Sequence, residues 1–262
     1  MSKQQLKDGK QSEEEKTFEV KIAKEDIEIV IKEVSLLSEE LTLHIDIEGI
    51  TIRLMDPSHV ALIDVSLPNT MFEKYEVQNE FDVGVRADEL SKMIKMFDKD
   101  SRITFTYTAD NLLILSNRTD KYTLRTIEAN KNDTPLPKIP YDAKVEYGPN
   151  QDYNTKDFIK TLDKIKILSD YVTFDTTNSR TILSGKGDIG EAQTTLERGQ
   201  VTIDVKQDSI GTYSLEYIIP FVKLVKDYSL AIEYSSSKPL RIEAKIANVG
   251  RLHFYLAPRV ES

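Results

Sequence analysis

Apolar residues follow two rhythms along this chain, one of period two and one near 3.6, and the switches between them mark out its elements. Residues 18–22 alternate as a strand, and 23–38 then carry Ile27, Val30, Ile31, Val34 and Leu37 as the apolar stripe of a helix. Residues 41–47 and 50–54 alternate on either side of Glu48-Gly49, which predicts a hairpin. A further strand over 60–67 stops at Pro68-Asn69. The order then recurs: a strand over 81–86, a helix over 87–97 with Leu90, Met93, Ile94 and Phe97 inward, and strands over 103–108, 112–116 and 122–127. Residues 143–147 form a strand, and Asn154 caps a helix through 168 with Phe158, Leu162 and Ile165 inward. Strands follow over 171–175, 181–184, 192–196, 199–206 and 210–213. A helix over 215–226 and strands over 230–234, 240–246 and 251–256 end the series.

Four strand–helix–strand–strand–strand units thus lie in series, grouped as two halves. Residues 90–108 (LSKMIKMFDKDSRITFTYT) and 215–234 (LEYIIPFVKLVKDYSLAIEY) share one order: helix, polar break, alternating strand ending in an aromatic. One such unit cannot bury its own core, whereas two together can pack their helices on one side of their sheets. The pattern predicts an α+β protein with two similar domains, 17–127 and 142–262, behind a polar tail at 1–16. Between the domains lies 128–141, EANKNDTPLPKIPY. Its three prolines exclude a central strand or a helix interior and favour a stiff, extended path. A plain spacer fits this composition. So does a strap whose apolar Leu136 and Ile139 help to make a docking site.

Composition narrows the chemistry. The chain has no Cys, which removes disulfides, thiolate metal sites and cysteine nucleophiles. No apolar run approaches the roughly 20 residues of a membrane helix, and the polar N-terminus is no signal peptide. The net charge is −9, which argues against a nucleic-acid partner unless the basic residues are segregated. They are unevenly spread. Lys92, Lys95 and Lys99 share one face of the second helix, and Lys156, Lys160 and Lys164 one face of the third, with Lys166 nearby. The fourth helix offers Lys223 and Lys226. Solvated faces would account for any one of these. Repeated on three duplicated helices, and without interleaved aromatics, they suit phosphate contact without base reading. The first helix departs, with Glu25, Asp26, Glu28 and Glu33 beside Lys24 and Lys32.

No Walker loop, dinucleotide fingerprint or His-Glu-x-x-His is present. His44 and His253 sit inside strand patterns. Asp56-Pro57-Ser58-His59 holds the residue types of a hydrolase triad, but as sequence neighbours in a turn, where Asp56 and Ser58 also read as turn caps. No catalytic residue, cofactor or metal is expected.

Two stretches resemble the sliding DNA clamps of the proliferating cell nuclear antigen (PCNA) family, and archaeal members in particular. Residues 54–67, LMDPSHVALIDVSL, are similar to that family's Met-Asp-x-Ser-His-Val signature, and 255–260, YLAPRV, to its Tyr-Leu-Ala-Pro-Lys-Ile ending. Residues 242–250, IEAKIANVG, add a third match, and the likeness covers 17–261.

The resemblance implies a DNA-clamp fold, with three subunits closed head-to-tail into a ring, helices lining the hole and strands outside. Lys92, Lys95, Lys160, Lys164, Lys223 and Lys226 would then meet duplex DNA, independently of its sequence. The acidic first helix and Pro220 in the fourth depart from the family pattern. The proline-rich segment becomes an interdomain connecting loop bordering a hydrophobic pocket for short peptide motifs. That pocket would comprise Met55, His59, Val60, Leu62, Leu136, Ile139, Pro140, Pro239, Tyr255, Leu256, Ala257 and Pro258. Its implied partners are DNA polymerase, the clamp loader, flap endonuclease and DNA ligase. Subunits would join through edge strands carrying Lys121, Tyr122, Thr123, Leu124 and Arg125 on one side and Glu191, Gln193 and Thr195 on the other. The implied function is a non-enzymatic processivity factor, cytoplasmic in an archaeal-type cell or nuclear in a eukaryotic one. A specialised or checkpoint-type subunit of a heterotrimeric ring is the alternative, and a hydrolase using Asp56 and His59 a more distant one.

Overall fold

The structure, a computed structural model, describes residues 16–130 and 134–259. The tail expected over 1–16 lies outside them except for the backbone of Lys16. The first half runs β1 (Lys16–Ala23), α1 (Lys24–Val34), β2 (Glu40–Ile45), β3 (Gly49–Met55), β4 (Ala61–Pro68), β5 (Lys74–Val77), β6 (Phe81–Arg86), α2 (Ala87–Met96), β7 (Arg102–Thr108), β8 (Leu112–Ser116) and β9 (Lys121–Arg125). The second runs β10 (Ala143–Tyr147), α3 (Thr155–Lys166), β11 (Tyr171–Thr176), β12 (Arg180–Gly187), β13 (Gly190–Glu197), β14 (Thr202–Val205), β15 (Ser209–Ser214), α4 (Leu215–Leu224), β16 (Leu230–Tyr234), β17 (Leu240–Ile246) and β18 (Gly250–Leu256). The fourfold unit is present, and each half adds one short strand, β5 or β14. This is the α+β architecture the pattern predicts.

The strands form three antiparallel sheets, ordered β5-β1-β7-β8-β9, β13-β12-β11-β15, and β14-β10-β16-β17-β18-β4-β3-β2-β6. The last of these joins the halves. β18 from the C-terminus pairs with β4, with Arg251 opposite Ser66 through Leu256 opposite Ala61. The helices form a row on the sheets: α1 packs on α2 and on α4, and α4 on α3. Their apolar faces explain this. Ile27, Val30, Ile31 and Val34 of α1, Leu90 and Ile94 of α2, Phe158, Leu162 and Ile165 of α3, and Leu215, Ile218, Phe221 and Val222 of α4 are all buried. The first core is mostly aliphatic. The second is threaded by rings in contact, Tyr147 on Phe158, Phe158 beside Phe174, and Phe174 beside Tyr213 and Tyr234.

Helix ends differ from the sequence pattern. α1 stops at Val34, where Ser35 hydroxyl and amide both turn back to the Ile31 carbonyl. α2 stops at Met96 and α4 at Leu224, so Lys99 and Lys226 lie beyond the helices that were expected to carry them. Glu33 does not join the solvent face of α1: it is wholly buried. Pro220 sits inside α4, where it is exposed and withholds one helical amide.

Candidate functional site

Lys92, Lys95, Lys160, Lys164, Lys223 and Lys226 are all exposed, while the opposite faces of their helices carry the core. Their charge is trimmed by neighbours. Lys92 pairs with Asp88 at 2.8 Å, Lys160 with Asp157 at 2.9 Å, and Lys223 reaches across from α4 to Asp163 of α3 at 2.9 Å. Among the described residues no ion pair engages Lys95, Lys164 or Lys226. On α1, Glu28 is held between Lys24 and Lys32. Burial pushes its carboxyl upward, but those two lysines, with Lys95 of α2 nearby, bring it below its ordinary value.

The residues expected to form the pocket come from segments that adjoin at the β4–β18 seam. Met55 stands opposite Leu62, and Leu62 opposite Tyr255, so the three form one row across β3, β4 and β18. Leu62 and Tyr255 lie outside the core cluster yet are only 3% and 5% exposed. Past the strand ends, the Ala257 amide donates to the Val60 carbonyl at 2.8 Å, which places Pro258 beside the 56–60 turn. Pro239 leads into β17 and is half-buried. Leu256 is a correction. Successive strand residues face opposite ways, and Leu256 turns into the core with Leu240 and Ala61, away from Leu62 and Tyr255.

The 128–141 segment crosses the sheet near this row. The Ile127 amide donates to the Gly84 carbonyl, and a Cβ on Gly84 would meet the Ile127 and Glu128 carbonyl oxygens at 2.7 Å, so glycine is required where the start of the strap passes β6. The Asn130 amide donates to the Thr42 hydroxyl, Arg53 Nη1 to the Thr134 carbonyl, and the Ser235 hydroxyl to the Pro140 carbonyl. Leu136 and Ile139 are half-buried and Pro140 is exposed. Residues 131–133 of the segment are outside the described ones.

Asp56 caps the turn that carries His59. Its carboxylate, 5% exposed, accepts from the Ser58 hydroxyl at 2.7 Å, the Ser58 amide at 3.2 Å, and the Val60 and Ala61 amides at 2.8 and 2.7 Å. The Tyr217 hydroxyl of α4 adds a fifth contact at 3.3 Å. Burial pushes this carboxyl up, but the Ala61 amide, the Ser58 hydroxyl and the Val60 amide outweigh it and hold it below 3.8. His59 itself is exposed, with a left-handed backbone at φ 59°. Among the described residues no hydrogen bond joins its ring to Asp56, so the carboxylate–histidine contact that orients the base of a triad is not made.

Beneath the strap, an ion-pair row crosses the seam. Arg53 pairs with Asp64 at 2.9 Å, and His253 lies 3.7 Å from Asp64 and 2.9 Å from Glu243. Burial pulls the His253 ring down, but the Asp64 and Glu243 carboxylates overcome it and raise its pKa above 6.5.

The two expected joining strands are sheet edges. β9 ends one sheet and β13 another. Lys121, Thr123 and Arg125 are exposed on β9, with Leu124 buried and Tyr122 packed on Phe97. Glu191, Gln193, Thr195 and Glu197 are exposed on β13.

A family model described as proliferating cell nuclear antigen, N-terminal domain, matches residues 17–133, and its C-terminal counterpart matches 136–259. The chain belongs to the proliferating cell nuclear antigen family. The two PCNA models meet inside the proline-rich segment. A protein of Nitrosopumilus maritimus named DNA polymerase sliding clamp is 48% identical over 244 residues, covering 91% of this chain and 96% of that one. One of the same name from Pyrococcus horikoshii is 31% identical over 239 residues, covering 88% and 94%. The solved structure of A. fulgidus PCNA with the C-terminal region of FEN-1 bound superposes with a TM-score of 0.85 at 21% identity, over 94% of this chain and 99% of that one. PCNA from Thermococcus kodakaraensis gives a TM-score of 0.86 at 22% identity, over 93% and 100%. These likenesses fix the PCNA fold.

Sequence reasoning missed several features of this PCNA-family chain. The bare Met96, Ile167 and Ile189 had no periodic signal, because they stand at helix ends and in a turn. The link from Tyr217 to Asp56 joins residues far apart in sequence. The Asp64–His253 contact depends on a strand pairing that no local pattern announces.

Proposed function

We propose that this chain is a DNA polymerase processivity clamp, which encloses duplex DNA as a trimeric ring and tethers enzymes through a peptide pocket on its outer sheet. Domains 17–127 and 142–262 supply the ring's arc and 128–141 the connecting loop. The carrying observation is the row α2-α1-α4-α3, whose exposed face bears the candidate lysines while its other face is the core. Lysines of this kind neutralise phosphates without reading bases, so contact is loose and salt-sensitive. Enclosure, rather than tight binding, reconciles a net charge of −9 with a DNA partner.

The protein performs no catalysis in this reading and needs no cofactor. Met55, Leu62 and Tyr255, with His59, Val60, Leu136, Ile139, Pro140, Pro239, Ala257 and Pro258 around them, take the apolar and aromatic anchors of a partner's short motif. Partners of this kind include DNA polymerase, the clamp loader, flap endonuclease and DNA ligase, and work in the cytoplasm fits a kinship with archaeal clamps.

The test is retention on DNA. Loaded by a cognate clamp loader onto nicked circular DNA, the protein should stay bound through a high-salt wash and leave when the circle is linearised. Equal retention on circular and linear DNA would refute enclosure.

A further inference from the structure

Two guanidinium groups on the outer sheet grip the proline-rich segment, one from each half of the chain. We propose that Arg53 and Arg241 are paired clasps, positioning residues that fix the two ends of a Thr134–Tyr141 arch and so set how wide the peptide pocket opens. This role presupposes the pocket proposed above and adds what holds its outer wall in place.

Three observations carry it. First, each clasp makes two contacts at once. Arg53 of β3 donates from Nε to the Asp64 carboxylate of β4 at 2.9 Å and from Nη1 to the Thr134 carbonyl at 3.2 Å. Arg241 of β17 is held by the Glu233 carboxylate of β16, and its guanidinium lies over the Tyr141 ring, 5.0 Å from the centroid. A planar guanidinium can serve a carboxylate with one edge and a second group with another edge or with its face, which a lysine ammonium cannot. The Tyr141 hydroxyl is buried and has no hydrogen-bond partner, so the ring is the part of Tyr141 that the clasp uses.

Second, the clasps frame the pocket row. Alternate residues of a strand share a face, so Arg53 points the same way as Met55. Arg241 stands opposite Tyr255 in the row that continues to Leu62 and Met55. The Tyr255 hydroxyl is a further hydrogen-bond partner of Arg241, so this clasp touches the segment and the pocket together.

Third, the chain between the clasps has slack. β3 and β17 are three strand spacings apart and the two arginines are offset by two positions along the strands, which separates them by about 16 Å. The seven residue steps from Thr134 to Tyr141 can reach about 23 Å. Pro135, Pro137 and Pro140 stiffen those steps, so the arch is a bow whose height depends on where its ends are anchored. Bonds from the Asn130 amide to Thr42 and from Ser235 to the Pro140 carbonyl keep the segment on the sheet when a clasp is lost. A clasp variant therefore changes the bow without detaching it.

The experiment makes two measurements on the full chain, with circular dichroism to confirm folding of each variant. One is early tryptic cleavage after Lys138, which is exposed inside the arch, followed by mass spectrometry. The other is calorimetric affinity for a synthetic peptide of the FEN-1 C-terminal region. Arg53→Lys keeps a cation for Asp64 but gives up the second contact, and should speed cleavage and weaken the peptide by about threefold or more. Arg241→Lys and Tyr141→Leu should do the same, by about threefold. Tyr141→Phe keeps the ring and should restore both readings. If Arg53 serves only its pair with Asp64, Arg53→Lys is silent, and that result overturns the inference. So does faster cleavage with unchanged affinity in both arginine variants, or a Tyr141→Phe that behaves like Tyr141→Leu; a wild type that binds the peptide normally leaves the pocket reading standing in each case. A wild type that does not bind the peptide sinks the pocket reading itself, and with it the part given to the clasps.

Discussion

Glu33 is the most perturbed group of α1, and its replacement has a calculable pH signature. The side chain is 0% exposed, and neither carboxylate oxygen has a hydrogen-bond partner. Burial without compensation raises its pKa well above 4.5, so the folded protein holds it as a neutral acid at pH values where the unfolded chain has ionised it. The sign follows. Above pH 4.5 the native state binds more protons than the unfolded state, so stability falls as pH rises until Glu33 ionises inside the fold. Each pH unit in that window removes about 1.4 kcal/mol. Glu33→Met fills the same space with no polar atoms to strand. Its advantage over the wild type should therefore widen by about 1.4 kcal/mol per unit, which is large against the net stability of a domain. Urea unfolding of both proteins at one concentration, at pH 5, 6, 7 and 8, measures this directly. Parallel stability curves for the two proteins would refute the argument, because they would mean that Glu33 ionises alike in both states.

Two other outcomes are expected. His253→Gln should cost stability most below pH 6.5, where the protonated ring is held by Asp64 and Glu243, and the deficit should vanish as pH rises through the raised folded value; a deficit that grows with pH in denaturant unfolding would contradict the pairing. Asp56→Ala strands the Val60 and Ala61 amides and should cost about 1–3 kcal/mol while weakening a partner-motif peptide in calorimetry, with Asp56→Asn milder in both; unchanged peptide affinity in Asp56→Ala would show that the turn does not shape the pocket.

The elements were readable because their periodicity is strong. The 81–86 strand, the 87–97 helix and the strands after it appear within a residue or two of where the apolar rhythm puts them. β5 was not readable, since KYEV is short, half-exposed and without a clear inward face. Glu33 was misread because charge suggests solvent, and only the neighbours of α1 determine that its position is closed. Leu256 was placed in the pocket with Tyr255, yet adjacent strand positions cannot share a face. Asp56 and Ser58 read correctly as turn caps, because that chemistry is local. Where the outcome depended on β18 meeting β4, no pattern within either strand could show it.

That pairing also bears on the proline-rich segment. A linker's ordinary task is to keep two domains together, but here the domains are already joined by other means. Main-chain bonds run unbroken from β18 into β4, α1 rests on α4, and the Asp64–His253 contact spans the same seam. The 128–141 segment is therefore spared that work, yet it is tied to the sheet at Thr42, Arg53 and Ser235 rather than left slack, and Ile127 just before it is held by Gly84. Its prolines keep it extended between those ties at little entropic cost, since φ is fixed before folding. With Leu136 and Ile139 half-buried along it, such a strap fits the proposed role of a wall to the peptide pocket. The plain-spacer reading leaves each of those ties without a purpose.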